Sequence, residues 1–266
     1  SSLTALDVGG NLYIGWKPAN SNWKGPYSGM LDVGTTSNSL NTTVTGNFSL
    51  DQGHFGYNAG AAGYLLPGTF SVGTAGAPSV MTIAHSQFDA SVPTSQIVMP
   101  AGSTFSGHLS SLTVGRYNAP HTVDLTGILD LRDATLAHLS AGSVEIGTLG
   151  KVDGNRPSRI YGRVYLPVGA VTANSLQLGE DYVNTQARGE LTLFGTQVTV
   201  ADSVTVNRGV IDVHVGNTSA GIDMLSSDAA DFVLGSNGSM VIHFEEDPVE
   251  PFLFGLRMAG DQVAFL

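Results

Sequence analysis

The sequence predicts an all-β protein, a parallel β-helix (β-solenoid) with irregular corner loops. Three observations favour this fold. Apolar and polar residues alternate with period 2 in short segments, glycines recur at the ends of those segments, and similar segments return about every 32 residues. In a solenoid, matched residues of successive coils stack on one another, so a repeated alternation produces continuous apolar ladders inside the protein.

The first repeated segment has two apolar residues around a variable one, followed by glycine. It occurs at residues 12–15, 31–34, 70–73, 112–115, 144–147 and 176–179. Successive glycines of this motif are 19, 39, 42, 32 and 32 positions apart. Glycine suits a strand end at a corner, where a positive φ is useful and a side chain would obstruct the turn.

Two further segments complete the unit. One places glycine before an alternating apolar stretch, at residues 45–50, 126–131, 161–166 and 188–193, and the other is a short apolar strand at 134–137, 170–173 and 197–200. Each unit is therefore predicted to contain three short strands. We expect the apolar side of this alternation to point inward at Leu129, Leu131, Val144, Ile146, Val164, Leu166, Leu176, Leu178, Leu191 and Leu193.

A β-sandwich or barrel would also show short alternating strands, and it is the alternative fold. The constant order of the three segments favours the solenoid. Residues 1–266 are then one solenoid body, in which 1–30 form an N-terminal cap, 51–111 form irregular coils, and 236–266 form a C-terminal cap or assembly segment.

The composition is 42% hydrophobic but only 12% charged, so the surface depends on Ser, Thr, Asn and Gly for its polarity. This surface is typical of extracellular or cell-surface proteins. The net charge of −11 argues against nucleic-acid binding, and no apolar run is long enough for a membrane span. With no cysteine, the fold has no disulfide and no thiolate chemistry.

The pattern between residues 112 and 200 resembles the repeats of bacterial autotransporter-type and associated β-strand-repeat surface proteins. The segments 240–248 and 254–263 are similar to the ending of repeat-containing surface proteins that carry sorting tails, although Met258 stands where an aromatic residue is expected. The resemblance implies an exported β-solenoid.

Carboxylates that could act as a general acid and base occur at Glu180 and Asp181, at residues 245–247, and at Asp130 and Asp133 beside Arg132. The seven histidines show neither an HxH nor an HxxxH spacing, so a metal site would require the fold to bring distant residues together. The sequence therefore predicts no catalytic residue, no cofactor and no metal ligand.

Exposed aromatic and apolar residues mark two segments that are suited to self-association or glycan contact. They are Trp16, Trp23 and Tyr27 near the start, and Phe252, Phe254, Phe265 and Leu266 near the end. Both segments could instead cap the solenoid. We expect an extracellular structural protein, not an enzyme, that assembles with itself into a fibre, sheath or matrix. The alternatives are a carbohydrate-binding or carbohydrate-cleaving β-helix and an adhesin domain of a larger exported chain.

Overall fold

The computed structural model describes residues 5–15, 29–32, 41–51, 53–56, 67–86, 94–117, 124–150, 158–182, 185–216, 219–244, 254–258 and 262–264. These residues are nearly all in β-strands, and a short 3-10 turn at Ala229–Asp231 precedes one of them. The strands are β1 Ala5–Val8, β2 Leu12–Ile14, β3 Gly29–Asp32, β4 Asn41–Val44, β5 Phe48–Leu50, β6 Gly53–Gly56, β7 Thr69–Val72, β8 Ser79–Ser86, β9 Ser95–Val98, β10 Thr104–Tyr117, β11 Asp124–Asp130, β12 Thr135–Leu149, β13 Ser158–Leu166, β14 Gly169–Leu178, β15 Glu180–Tyr182, β16 Thr185–Phe194, β17 Thr196–Val215, β18 Ala220–Met224, β19 Phe232–Phe244, β20 Phe254–Met258 and β21 Gln262–Ala264.

Apart from β15 and β21, which pair antiparallel with β16 and β20, the strands form three parallel stacks, to which successive coils contribute whole strands or parts of long strands. The first stack contains β1, β4, β7, the N-terminal parts of β10, β12, β14 and β17, and then β18 and β20. The second contains β2, β5, β8, the C-terminal parts of β10, β12 and β14, the middle of β17 and the start of β19. The third contains β3, β6, β9, β11, β13, β16 and the ends of β17 and β19. The predicted parallel β-solenoid is confirmed.

The predicted interior is confirmed residue by residue. Every side chain expected to point inward is buried, from 0% exposed for Leu129 to 7% for Val144. Leu129 pairs with Val164 in the next coil, and Val164 pairs with Leu191 in the coil after that. Because the alternation is preserved in successive described coils, apolar side chains meet apolar side chains along the interior.

The described part of residues 51–111 is more regular than the sequence predicts. In this region β10 pairs in parallel with both β7 and β8. The register between β10 and β8 shifts by one residue between residues 109 and 111. Its interior is filled by Phe70, Met81 and Phe105, and the rings of Phe70 and Phe105 lie 5.7 Å apart. Segment 70–73 is one of the repeated glycine motifs, whereas Met81 and Phe105 lie in segments that match neither motif and were therefore not recognised.

The two glycine motifs do not mark one strand position each, as the sequence analysis expected. Segments 12–15, 112–115, 144–147 and 176–179 do belong to the second stack, but 70–73 lies in the first and Leu31 in the third. Segment 45–50 likewise leads into β5 of the second stack, whereas the other segments of its motif lie in the third stack. Any alternating strand that ends at a corner produces these motifs, so they identify strands but not stacks.

The corner between the second and third stacks is built from two interlocking rows of glycine. Gly115, Gly147 and Gly179 end strands of the second stack with φ of 70°, 61° and 64°, and Gly127, Gly162 and Gly189 pair with one another along the third. A Cβ on Gly115 would lie 2.5 Å from the carbonyl oxygen of Tyr161 and 2.9 Å from the Cα of Gly162. Backbone therefore packs directly on backbone at this corner.

One coil carries alanine where the following coil has the corner glycine Gly115. Ala84 lies opposite Gly115, since the residues on either side of it pair with Val114 and Arg116. Ala84 is fully buried with φ of 57°, a conformation that a Cβ disfavours. Ala84→Gly should therefore raise the free energy of unfolding by roughly 1 kcal/mol, measured by urea or thermal denaturation.

Ala141→Gly is the matched control for this substitution. Ala141 is also a buried alanine, 6% exposed, but its φ is not positive. The same change should destabilise the protein there by about 1 kcal/mol, because glycine loses more backbone entropy on folding. Equal losses of stability at both positions would show that the methyl of Ala84 contributes more through packing than it costs in backbone strain.

Candidate functional site

In the first and last described coils, several interior apolar side chains are only partly buried, whereas most interior side chains of the coils between them are buried. Partly buried residues that pack on the core include Leu6, Val8 and Leu12 in the first coil. At the other end they are Phe232, Leu234, Met240 and Ile242, all in β19. These side chains occupy interior positions of the ladders, as Ile242 pairs with the buried Val213, and they are less covered because they lie in the terminal coils.

Strand β19 presents an open edge at the C-terminal end. It pairs in parallel with β17 from residue 232 to residue 244, and no other strand of the described chain forms a ladder with it. The exposed fractions of Val233, Val241 and Phe244 are 42%, 40% and 52%. A long sheet edge with exposed apolar residues is a template for pairing with another strand.

The aromatic and apolar contact residues predicted from the sequence are not part of this described surface. Trp16, Trp23, Tyr27, Phe252, Phe265 and Leu266 lie outside the described residues, and for Phe254 the description covers the backbone, as the first residue of β20. Glycan contact or self-association through these side chains stays a prediction.

The described carboxylates that the sequence singled out make structural contacts. Asp130 forms an ion pair with Arg132, whose guanidinium lies 4.2 Å from the ring centre of Tyr165. The hydrogen bond that the guanidinium of Arg132 donates to Asp130 is the main cause of the raised pKa of Arg132. Glu180 accepts a hydrogen bond of 3.1 Å from the backbone N–H of Leu149. The side chain of Asp181 and residues 245–247 lie outside the description.

Ion pairs on the outer surface join neighbouring coils. Glu190 forms an ion pair with Arg163 of the preceding coil, at 2.9 Å from its Nε, and Arg116 pairs with Glu145 of the following coil. Glu190 also pairs with Arg188 of its own strand, at 3.0 Å from the Nε. These side chains are partly exposed, so each pair adds little stability by itself.

Burial shifts two titratable groups in the coils before β10. Burial raises the pKa of the Asp51 carboxyl to about 6, and a hydrogen bond from the Ser49 hydroxyl opposes the shift. The pKa of His85 is lowered to about 4, mainly by burial and to a smaller extent by the nearby positive charge of Arg116. His85 therefore binds a proton less readily in the folded protein than in the unfolded chain. As a result, His85 lowers the free energy of unfolding as the pH falls from 6.5 toward about 4.

The fold brings together a cluster of one carboxylate and two imidazoles that the sequence analysis missed. Asp212 and His214 point outward from β17, and His243 of β19 pairs with His214. The two imidazole rings stack at 4.7 Å with an angle of 19° between their planes, and Phe194 stacks on the other side of His214 at 4.8 Å. We call Asp212, His214 and His243 the outer cluster.

A second pair of stacked histidines lies elsewhere on the surface. The rings of His108 in β10 and His138 in β12 are 4.1 Å apart, and the Nε2 of His138 is 3.0 Å from the hydroxyl of Ser140. Burial, and then the proximity of His108, lowers the pKa of His138. Within the described ranges, no carboxylate joins this pair to form a set of three metal-ligating side chains, which distinguishes it from the outer cluster.

Comparisons of the chain with protein-family models, curated proteins and solved structures find no match. In the part of the chain that the structure describes, no helix is long and apolar enough to cross a membrane. The interpretation of function therefore depends on the fold and on the surfaces described above.

Proposed function

We propose that this chain is an extracellular structural protein whose solenoids assemble end to end into a fibre, sheath or matrix. The observation that carries the proposal is strand β19, which has an edge that no other described strand pairs with and which carries only partly buried interior residues. A second copy offers a matching surface at its first described coil, where Leu6, Val8 and Leu12 are also partly buried.

The proposed contact follows from the architecture of a solenoid. Every coil already binds its neighbour through parallel backbone hydrogen bonds and matched apolar ladders, so a further coil from another molecule can use the same interactions. The contact joins two different surfaces of the protein, and such a contact repeats without closing and produces a filament. The low content of charged residues, 12%, keeps repulsion between copies small.

Ile242→Lys should abolish assembly, because it places a charge among the interior residues of the open end. Its side chain is part-buried at that end, so the ammonium can still reach water in the free monomer and the fold should survive. Light scattering and negative-stain microscopy should show rods for the unaltered chain and monomers for the variant. Circular dichroism of both proteins checks that the variant is folded.

Val233→Lys is the matched control on the same strand. Val233 is apolar and 42% exposed, but it pairs with the outward residue Thr205 and does not belong to the interior ladder. Assembly should persist in this variant. Monodisperse monomers of the unaltered chain at high concentration, or equal loss of assembly in both variants, would contradict the proposal.

A further inference from the structure

We propose that the outer cluster is a binding site for one divalent cation of the zinc class, held by His214, His243 and Asp212. Each residue offers one ligand atom, an imidazole nitrogen from each histidine and a carboxylate oxygen from Asp212, and these atoms all lie within 4.8 Å of one another. The site joins two successive coils, since Asp212 and His214 belong to β17 and His243 belongs to β19.

The distances in the cluster are close to those that a shared metal ion requires. Two ligands that each lie about 2.0–2.1 Å from a tetrahedral Zn²⁺ are separated by roughly 3.3 Å. The Nε2 of His243 lies 2.7 Å from one oxygen of Asp212, and the Nε2 of His214 lies 3.5 Å from the other. The three ligand atoms lie within 4.8 Å of one another and the two imidazole rings are stacked, so binding of one ion requires side-chain rotations that turn both imidazole nitrogens toward it.

A second observation points to a ligand between these side chains. The Oδ1 of Asp212 is shielded from solvent, and although the Nε2 of His243 is only 2.7 Å away, no donor in the described structure meets this oxygen with hydrogen-bond geometry. A shielded carboxylate oxygen without a well-directed donor is costly. A cation between the carboxylate and the imidazole nitrogens would satisfy it.

The chemistry of the ligands selects the class of metal. Imidazole suits Zn²⁺, Cu²⁺, Ni²⁺ and iron, whereas Mg²⁺ and Ca²⁺ prefer sites made of oxygen alone. Three protein ligands would leave the fourth coordination position of a tetrahedral ion to water, as in zinc sites that keep one position open. At this location the bound ion would tie the last described part of β19 to β17 and stabilise the open end of the solenoid.

Titration calorimetry of the full chain, first treated with a chelator, tests the site with Zn²⁺ as the probe. We expect one Zn²⁺ per chain and no heat of binding with Ca²⁺. Loss of a residue that only supports a metal ligand commonly costs about 10–100-fold in metal affinity. Loss of a direct ligand should cost at least as much, so we expect His214→Ala, His243→Ala and Asp212→Asn each to weaken Zn²⁺ binding by at least about tenfold. Circular dichroism of each variant verifies that these surface changes leave the fold intact.

His138→Ala is the control, because His138 also stacks on a histidine of a neighbouring coil but has no third ligand within the described residues. Its Zn²⁺ affinity should equal that of the unaltered chain. As a second readout, Zn²⁺ should slow amide hydrogen exchange in the part of β19 around His243, and should not do so in Asp212→Asn. Unaltered affinity in His214→Ala or His243→Ala, or no binding at millimolar Zn²⁺, would overturn the assignment.

Discussion

A chain with alanine in place of Gly147 is expected to be less stable by about 4 kcal/mol or more, enough to unfold the middle of the solenoid. Two independent costs combine at this position. The φ of Gly147 is 61°, which a residue with a Cβ adopts only with strain, and the added Cβ would overlap the carbonyl oxygen of Arg188 in the next coil. Neither the backbone of Arg188 nor the adjoining Gly189 can retreat, because both belong to the paired strand β16. Urea denaturation followed by circular dichroism measures the loss.

Gly76→Ala is the control for the glycine corner. Gly76 lies in the turn before β8, and a Cβ at this position would meet nothing within 4 Å. The stability of this variant should stay within about 0.5 kcal/mol of the unaltered protein, as is usual for surface substitutions. If Gly147→Ala were tolerated equally well, the close packing of backbone on backbone at the corner would be refuted.

Leu129→Asp is expected to cost about 4 kcal/mol or more, because it places an unpaired carboxylate inside the solenoid. Leu129 is 0% exposed and lies between Ile97 of the preceding coil and Val164 of the following one. These neighbours offer no hydrogen-bond donor from their side chains. Since each coil is stabilised chiefly by its two neighbours, we expect the damage to spread to the coils on both sides.

The neighbouring residue provides the control for Leu129→Asp. Ile128 lies on the outward side of the same strand and pairs with Gln96 and Arg163, so an aspartate there stays hydrated and faces a cation. Ile128→Asp should change the free energy of unfolding by less than about 1 kcal/mol. Similar losses in the two variants would mean that the inward and outward sides of β11 have been assigned incorrectly.

The sequence alone determined the fold class and the sides of the strands. Period-2 alternation states which side of a strand is apolar without reference to the rest of the chain, and for this reason Leu129, Val164 and Leu191 were predicted to be interior and are. The sequence also located the corner glycines, because a position that requires a positive φ or a close backbone contact is usually occupied by glycine. It did not recognise the interior positions filled by Met81 and Phe105, because the segments that carry them match neither repeated glycine motif.

Only the tertiary structure decided which side chains share a position on neighbouring coils. His214 and His243 are 29 residues apart and stack directly, whereas His54 and His85 are 31 residues apart and lie in different stacks, in β6 and β8. The corner loops vary in length, so a separation close to one repeat does not fix the register between coils. Loop lengths and strand pairing together bring Asp212, His214 and His243 into one cluster. Their proximity cannot be predicted from the sequence until the path of every coil is known.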